Sequence, residues 1–407
     1  MEKPTLAEEL ELLRRGTVDI FPEAEFEEKI RRSRATGRPL RVKLGVDATG
    51  PQLHLGHIIP VLKLRQFQEL GHQAVLIVGD YTAMVGDPSG RNQARPQLPH
   101  AAVMENARTL AAQAFVVLDP EHTEVVYNGS WFSQLTFQDT VRLMAGTTVA
   151  RILEREDFTT RFQGGNPIGL HELLYPLMQA YDSLMVRADV ELGAIDQKFN
   201  ILAGRDLQKA MGQEPQVGVC GPLLIGTDGV EKMGKSLGNF IGVTEPPPEM
   251  YGKVMSIPDT LIASYGELLT SVAMDQIHRW EEEMRQGKVN PRDVKRRLAR
   301  EIVTRFHGRE AARAAEEHFD RVHIHKDLPA EIPEVEIAAS SIWIARLLVQ
   351  AGLAPSHAEA RRLVQQGGVK LDGQAVAQAE YEWPVRSGAV LQVGKRRFVR
   401  IVVPGRP

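Results

Sequence analysis

A strand, a loop and a helix with two histidines at its start follow one another within residues 41–70. Apolar residues alternate from Val42 to Val46, as in a β-strand, and a stretch of turn-forming residues comes next. His54 and His57 then precede a run with helical periodicity. A helix amino terminus carries unpaired backbone N–H groups and a partial positive charge, so it favours an anion such as a phosphate. The sequence therefore predicts an anion site beside the two histidines.

Gly56 lies between these histidines, and a flat base could lie against its backbone because glycine has no side chain. Two histidines at a helix start can equally be a cap and a surface residue. The His-x-Gly-His pattern also occurs in small nucleotidyltransferases. The pattern alone leaves all three interpretations open.

Two lysines, Lys232 and Lys235, lie much further along in a glycine-rich segment, residues 226–238. Such a cationic loop could close on phosphates, although a lysine pair alone is usually a solvated turn. His-Leu-Gly-His followed by Lys-Met-Gly-Lys-Ser resembles the two signature motifs of class I aminoacyl-tRNA synthetases. Gly234 stands where that family usually has serine, which removes one hydroxyl and keeps both lysines.

Length and charge restrict the possibilities further. A chain of 407 residues is expected to form about two or three domains. The net charge is −3, yet residues 338–407 hold ten Lys or Arg against four Asp or Glu, so a basic tail follows an acidic body. The single cysteine, Cys220, excludes an internal disulfide and fits a reducing cytoplasm. The amino-terminal residues are unlike a signal peptide, and no apolar run reaches membrane-spanning length, so no membrane partner is expected.

Apolar runs that alternate with helical patterns predict the fold class. Residues 5–36 read as one or two helices, and residues 137–157 as a helix, broken near 146–148, that is expected mainly in the core. This order predicts an α/β fold, a Rossmann-like doubly wound parallel sheet with its active crevice across the middle. The runs predicted as strands after the first one are residues 74–79, 125–127, 184–188 and 217–225.

Three domains are predicted along the chain. Residues 1–240 form the Rossmann-like catalytic domain with an insertion around 100–165, and residues 241–330 an α-helical domain. Residues 338–407 form a small α+β domain with two helices, the second capped by Ser356, and a small sheet. A basic cluster at residues 295–300 is either a solvated helix face or an RNA-facing one.

A short polar stripe predicts a pocket wall. Tyr175, Gln179 and Asp182 are spaced to share one helical face. Such a stripe is often solvated surface, but here it contains neither lysine nor arginine, which suits a pocket that accepts hydrogen bonds. Asp196 opens a further loop-to-helix segment, where an acidic residue could hold ribose hydroxyls.

Six segments, in this order, resemble tyrosyl-tRNA synthetases of the bacterial type over nearly the whole chain. They are LGVDATGPQLHLGH, VGDYTAMVGDPSG, YPLMQAYD, GAIDQKFN, KMGKS and the basic tail. The resemblance implies a tyrosine–tRNA ligase that forms tyrosyl adenylate from ATP, releases pyrophosphate and then transfers tyrosine to tRNA(Tyr). The implied partners are L-tyrosine, ATP as Mg-ATP and tRNA(Tyr), with no metal bound tightly by protein ligands.

The resemblance also assigns residues to roles. It implies catalysis by Thr49, His54, His57, Lys232 and Lys235, with the two lysines stabilising the departing pyrophosphate. Asp182 matches the carboxylate that binds the substrate phenol. The implied ATP site comprises Asp47, His54, Gly56, His57, Asp196 and Lys235. The implied tyrosine site comprises Asp87, Tyr175, Gln179, Asp182 and Gln197.

One departure concerns the phenol. Many members of this family carry a second tyrosine that touches the substrate hydroxyl, and Lys43 stands at that position here. Phenol recognition is therefore expected to rest more on Asp182 than it does in those members.

The basic tail resembles the S4 RNA-binding domain, whose modules contact phosphates and RNA shape. The implied tRNA-binding residues are Arg361, Arg362, Lys395, Arg396 and Arg397. The family also places a homodimer contact in the insertion. Three alternatives stay open: a nucleotidyltransferase of cofactor synthesis, a non-catalytic RNA-binding relative and a tryptophan-specific relative. The tail argues against the first, and the intact motifs argue against the second. Asp182 and the tail favour tyrosine over tryptophan.

Overall fold

The computed structural model describes residues 4–89, 99–323, 332–394 and 397–404. The chain divides into two units, Met1–Glu316 and Glu317–Pro407. In the described part of the chain, no helix has the length and apolar character that crossing a membrane requires.

Six strands form the central sheet of the first unit, in the order β1-β6-β5-β2-β3-β4. Strands β2 to β6 run parallel, and β1 joins the edge antiparallel to β6. From β2 the chain moves to β3 on one side, and β5 later returns on the other, so the strand order reverses between β2 and β5. The strands are β1 Asp19–Phe21, β2 Arg41–Asp47, β3 Gln73–Gly79, β4 Thr123–Tyr127, β5 Val190–Ala194 and β6 Val217–Gly221.

Helices surround this sheet, and the doubly wound prediction is confirmed. Apolar β3 is buried along nearly its whole length, as expected for a parallel strand covered on both faces. The helices up to the lysine loop are α1 Leu6–Arg14, α2 Glu23–Thr36, α3 Leu55–Glu69, α4 Thr82–Val85, α5 His100–Ala114, α6 Gly129–Phe132, α7 Phe137–Met144, α8 Val149–Ile152, α9 Glu156–Gln163, α10 Tyr175–Met185 and α11 Lys198–Ala210.

Between the lysine loop and residue 323 the described chain forms five α-helices, in agreement with the predicted helical stretch. Their buried side chains include Tyr251, Tyr265 and Trp280. The predicted domain boundary at residue 240 stays a prediction. The helices are α12 Pro247–Ser256, α13 Ile262–Leu269, α14 Met274–Arg285, α15 Pro291–His307 and α16 Arg309–His323.

The second unit contains a sheet of five strands, in the order β10-β9-β12-β13-β7, and a separate pair, β8 with β11. Trp383 is fully buried in its apolar core, and the Ser356 hydroxyl accepts the Glu359 N–H as the predicted cap of the second helix. The elements are β7 Glu334–Glu336, β8 Ser341–Trp343, α17 Ile344–Gln350, α18 His357–Gln365, β9 Val369–Leu371, β10 Gln374–Ala375, β11 Glu382–Pro384, β12 Val390–Val393 and β13 Arg397–Val402.

The strand predicted at residues 184–188 is wrong. Leu184 and Met185 continue helix α10, and Arg187 then adopts a left-handed conformation with φ of 50°. The strand β5 begins after this reversal, at Val190. Glu191 interrupts its apolar pattern, and this concealed the strand in the sequence.

Two further predictions are confirmed only in part. Residues 5–36 form the predicted helices α1 and α2, with the unpredicted short strand β1 between them. The break predicted near residues 146–148 separates α7 from α8, and a second, unpredicted break separates α8 from α9. The expected core position is wrong for the apolar side chains that face outward, since Phe137 is 85% exposed and Val149 is 64% exposed.

The edge strand β1 generates a stability prediction. Phe21 is paired with Gly218 of β6, and a β-carbon at Gly218 would overlap the Phe21 ring. We expect Gly218→Ala to lower the free energy of unfolding by about 1 to 3 kcal/mol through this overlap. Urea denaturation followed by circular dichroism measures the change.

The matched control is Gly252→Ala in α12, where a β-carbon would meet no atom within 4 Å. This substitution removes a flexible residue from a helix and is expected to gain up to about 1 kcal/mol. Equal denaturation midpoints for the two variants would contradict the role of Gly218.

Candidate active site

The reversal of strand order between β2 and β5 places a crevice beyond the carboxyl ends of both strands. Asp47 ends β2 there, and His54 immediately precedes helix α3. The His54 and His57 rings stack with their centroids 3.6 Å apart. Burial, assisted by the nearby charge of Lys235, lowers the pKa of His54 to about 4. His54 is therefore a neutral imidazole at pH 7 and donates through one ring N–H.

Gly56 makes room for the ring of a neighbouring histidine. A β-carbon at this position would lie 3.1 Å from Cε1 of His54, closer than ordinary contact. The glycine between the two histidines thus lets the His54 ring fold back over its own helix. This steric reason for a glycine is not apparent from the sequence alone.

The lysine loop is fastened beside the start of α3. The Leu55 N–H donates to the Ile241 carbonyl at 2.9 Å, and the Val243 N–H donates to the Leu53 carbonyl at the same distance. Asn239 closes the loop internally. Its oxygen accepts the Gly234 N–H at 2.8 Å, and its amide nitrogen donates to Asp228 at 2.6 Å and to the Lys232 carbonyl at 3.2 Å.

The two predicted lysines lie on different sides of the crevice. A β-carbon on Gly50 would lie 3.3 Å from Nζ of Lys235, so this ammonium lies against the turn that follows β2, beside His54. The charge of Lys232 acts instead on Asp196. Burial and the charge of Asp87 raise the pKa of Asp196, and Lys232 partly offsets that rise.

Asp47 joins the histidine side of the crevice to helix α10. Its carboxylate accepts the Thr82 hydroxyl at 2.6 Å and the Tyr175 hydroxyl at 2.9 Å. A β-carbon on Gly79, at the end of β3, would overlap this carboxylate. The turn holding Thr49 follows directly, and the Thr49 N–H donates to the Asp47 carbonyl at 2.8 Å.

Asp182 is buried at the deep end of the polar stripe on α10, with 4% of its surface exposed. It accepts Nδ2 of Asn128 at 3.2 Å and Nε1 of Trp131 at 3.0 Å. Burial raises the pKa of Asp182 to about 7, against the lowering effect of the Lys43 charge and of these two hydrogen bonds. Asn128 and Trp131, which come from the end of β4 and from α6, carried no signal in the sequence.

Asp87 and Gln197 complete this wall of the crevice. Nε2 of Gln197 donates to Asp87 at 2.9 Å. Arg155, also absent from the predicted site, donates to the other Asp87 oxygen and to Oδ1 of Asn200, each at 3.2 Å. The structure therefore brings the five predicted amino-acid-binding residues together, and supplies cations and amides behind them.

The predicted RNA-binding arginines lie in the second unit. Arg361 stacks over the Trp343 ring at 5.0 Å, and Arg397 donates to the Leu353 carbonyl at 2.8 Å. Arg362 pairs with Glu359 at 2.8 Å. Lys395 and Arg396 lie outside the described residues.

The basic cluster at residues 295–300 is engaged within the first unit. Lys295 pairs with Asp259 at 2.5 Å, and Arg296 and Arg300 both pair with Glu316 at 3.0 Å. These ion pairs favour a structural role for the cluster over an RNA-facing one.

Within the described ranges, no group of three or more His, Cys, Asp or Glu side chains is placed to hold a metal ion. The crevice instead offers two imidazoles and the Lys235 ammonium on one side, and carboxylates with amides, among them the buried Asp182, on the other. The first set suits a polyphosphate, and the second suits a ligand that bears a cation and a hydrogen-bond donor.

Comparisons with known proteins give two matching family models. Residues 35–323 match the model of class I tRNA synthetases (W and Y), and residues 324–400 match the model of the SYY-like C-terminal domain of tyrosine–tRNA ligase. The tyrosine–tRNA ligase of Moorella thermoacetica is 53% identical, with 97% of this chain and 96% of the relative covered. That of Thermotoga maritima is 50% identical, with 98% of each chain covered.

Solved structures share the fold. The C-terminally truncated mitochondrial tyrosyl-tRNA synthetase of Aspergillus nidulans superposes with a TM-score of 0.65 at 22% identity, covering 78% of this chain and 94% of that one. The Archaeoglobus fulgidus enzyme, solved with L-tyrosine, gives a TM-score of 0.62 at 23% identity, covering 77% and 100%.

The fold and the two family models place the chain among the class I aminoacyl-tRNA synthetases. Within that class, near-complete coverage at about 50% identity shows that it belongs to the tyrosine–tRNA ligase family.

The buried position of His54 predicts a pH dependence of stability. Its pKa is about 4 in the folded chain and about 6.5 when unfolded, so the unfolded chain binds more protons between these values. Stability is therefore lost as the pH falls through this window. We expect acidification from pH 7 to 4.5 to cost the wild type about 2 to 3 kcal/mol more than it costs His54→Gln, measured by urea unfolding. Parallel losses in both proteins would contradict a neutral, buried His54.

Proposed function

We propose that this chain is a tyrosine–tRNA ligase that works in two steps. In the first, a carboxylate oxygen of L-tyrosine attacks the α-phosphorus of ATP, and the bond to the leaving pyrophosphate breaks. In the second, the terminal ribose hydroxyl of tRNA(Tyr) attacks the tyrosyl carbonyl, and AMP leaves. The observation that carries this proposal is the crevice itself. The His54 and His57 rings and Lys235 lie on one side of Asp47, and the wall that holds the buried Asp182 lies on the other.

Catalysis of the first step needs no protein nucleophile, because the substrate supplies the attacking oxygen. We assign His54, His57, Lys232 and Lys235 to the developing charge on the phosphates, where prepositioned donors are most effective. Thr49 and Gly56 contact the nucleotide in this assignment, and Asp47 and Asp196 lie toward its ribose. The Mg²⁺ that arrives with ATP neutralises part of the triphosphate charge.

Recognition of the amino acid divides between the two ends of the polar wall. Asp182 accepts the hydrogen bond of the phenol hydroxyl, and Asp87, Tyr175, Gln179 and Gln197 surround the ammonium and carboxylate groups. A site built for a hydroxyl leaves a buried acceptor unpaired when the ligand lacks it, and this enzyme family is the standard example of such rejection. Tryptophan offers no hydroxyl to Asp182, which favours tyrosine.

The second unit is the proposed tRNA-binding module. The proposed location of the whole protein is the cytoplasm. The residues proposed to bind tRNA are Arg361, Arg362 and Arg397, together with Lys395 and Arg396, which lie outside the described residues. The division into catalytic, helical and S4 domains is retained as part of this proposal.

The proposed homodimer uses the exposed apolar side chains of the insertion. Phe137 is 85% exposed, Val141 48%, Met144 47% and Val149 64%, an apolar surface that a second copy of the chain would cover.

Pyrophosphate exchange into ATP, measured with each standard amino acid in turn, tests the activity. We expect exchange with tyrosine and not with phenylalanine or tryptophan. Lys235→Ala is expected to slow exchange by about 10² to 10³, because one prepositioned cation leaves the phosphates. Tyrosine affinity, measured by calorimetry, should be almost unchanged.

The matched control is Lys209→Ala, which removes an exposed lysine at the end of α11 and should exchange at the wild-type rate. Exchange by Lys235→Ala at that same rate would remove Lys235 from the mechanism. Exchange driven by another amino acid would overturn the proposed substrate.

Deletion of residues 334–407 tests the RNA-binding module, with the cut placed so that β7 leaves together with its sheet. We expect pyrophosphate exchange to persist, since the described crevice residues all precede the cut. Charging of tRNA(Tyr) with labelled tyrosine should fall by at least tenfold, because the basic phosphate contacts are lost. Intact charging by the shortened protein would refute the assignment.

A further inference from the structure

A buried ion pair lies behind the side of the crevice that is proposed to bind the amino acid. Lys43 of β2 and Glu191 of β5 are register partners, with 0% and 1% of their side chains exposed, and their charged atoms are 2.8 Å apart. The Lys43 ammonium also donates to the Ser183 hydroxyl at 2.7 Å and to the backbone carbonyl of Gln179 at 3.0 Å. Charges this deep are retained at a cost, and a purely apolar pair would fill the space more cheaply.

Glu191 reaches the site through Gln179. Its Oε1 accepts Nε2 of Gln179 at 2.9 Å as well as Lys43, and its Oε2 accepts Ser183 and Gln216. A carboxylate can only accept, so the nitrogen of the Gln179 amide must face Glu191 and its oxygen must face away.

The hydrogen bonds of three linked side-chain amides, those of Gln179, Asn200 and Gln197, are directed in the same way. Nδ2 of Asn200 donates to Oε1 of Gln179 at 2.9 Å and to Oε1 of Gln197 at 3.0 Å. At the far end, Gln197 donates to the acceptor Asp87, while Arg155 donates to Oδ1 of Asn200. Isolated amides can bond in either orientation, but here acceptors at both ends and a cation in the middle leave one arrangement.

We propose that Lys43 and Glu191 are positioning residues for the amino-acid site. Glu191 fixes the direction of the Gln179 amide so that its oxygen is available to the substrate ammonium, and Lys43 holds the Glu191 charge in place. This inference rests on the proposed role of Gln179 in binding that ammonium. The competing explanation is that the pair only fastens β2 to β5, in which case every ligand would be affected alike.

The test is the double variant Lys43→Met/Glu191→Gln, which removes both charges, keeps similar volumes and leaves no buried charge alone. Calorimetry measures its affinity for L-tyrosine and for 3-(4-hydroxyphenyl)propanoate, which lacks the ammonium. We expect tyrosine affinity to fall about tenfold, because Gln at position 191 can donate as well as accept, so the Gln179 amide keeps only the constraint from Asn200. Affinity for the analogue should change less than twofold.

A second variant guards against misfolding of the first. Glu191→Asp keeps the charge opposite Lys43 but withdraws the carboxylate from Gln179, and we expect the same selective loss. Lys29→Met is the matched control, since Lys29 is a buried lysine that pairs with Glu214 at 3.0 Å away from the amide chain. It should lower the melting temperature without changing the preference for tyrosine over the analogue.

Three outcomes decide the question. A loss confined to tyrosine supports the positioning role. Equal losses for both ligands, or unchanged tyrosine binding by a folded variant, overturn it. Gln179→Ala distinguishes a failure of the proposed Gln179 role from a failure of the ion-pair role. If that variant binds tyrosine normally, the assignment of Gln179 to the ammonium is wrong, and the inference about the ion pair is wrong with it. If Gln179→Ala weakens tyrosine binding but the Lys43 and Glu191 variants do not, the proposed function stands and the positioning role does not.

Discussion

The parallel pairing of β2 with β5 is the constraint on which the rest of the first unit depends. Because the chain leaves this pair in opposite directions, the loops after the two strands cannot cover their ends, and a crevice opens there. Asp47 ends one strand, and the segment of Asp196 and Gln197 follows the other. Residues far apart in sequence meet as a consequence of strand order, before any ligand contributes.

Charge is distributed in this crevice with a clear asymmetry. Carboxylates lie deep in it, and each is compensated by nearby donors: Asp47 by two hydroxyls, Asp182 by an amide and an indole, and Asp87 by a guanidinium. The lysines of the loop are more accessible, where an incoming anion can reach them. Hydrogen bonds from such donors favour the charged carboxylate and burial disfavours it, and for Asp182 the balance leaves a pKa of about 7.

Local patterns allowed most of the framework to be predicted, and long-range contacts explain what could not be. The β2–α3 unit and the Ser356 cap are encoded in neighbouring residues, so periodicity and capping rules find them. Strand β5 was not predicted because Glu191 interrupts an apolar run, and its burial depends on partners distant in the sequence, among them the charge of Lys43. Arg155 likewise reads as an ordinary surface residue until the fold brings it to the site. Phe137 follows a core-like pattern but is exposed, because apolar spacing alone does not distinguish a face turned to the interior from one turned to the surface.

The Asn239 clasp has a consequence for how the lysine loop meets its ligand. Because this one amide already orders the loop's base, an arriving triphosphate need not organise the backbone of residues 226–243. What it immobilises is chiefly two side chains, each carrying about 2 kcal/mol of rotamer entropy. The backbone of the loop is thus preorganised, whereas its two lysine side chains become ordered when the ligand binds. Most of the entropy cost of ordering the loop is met during folding and not at each turnover.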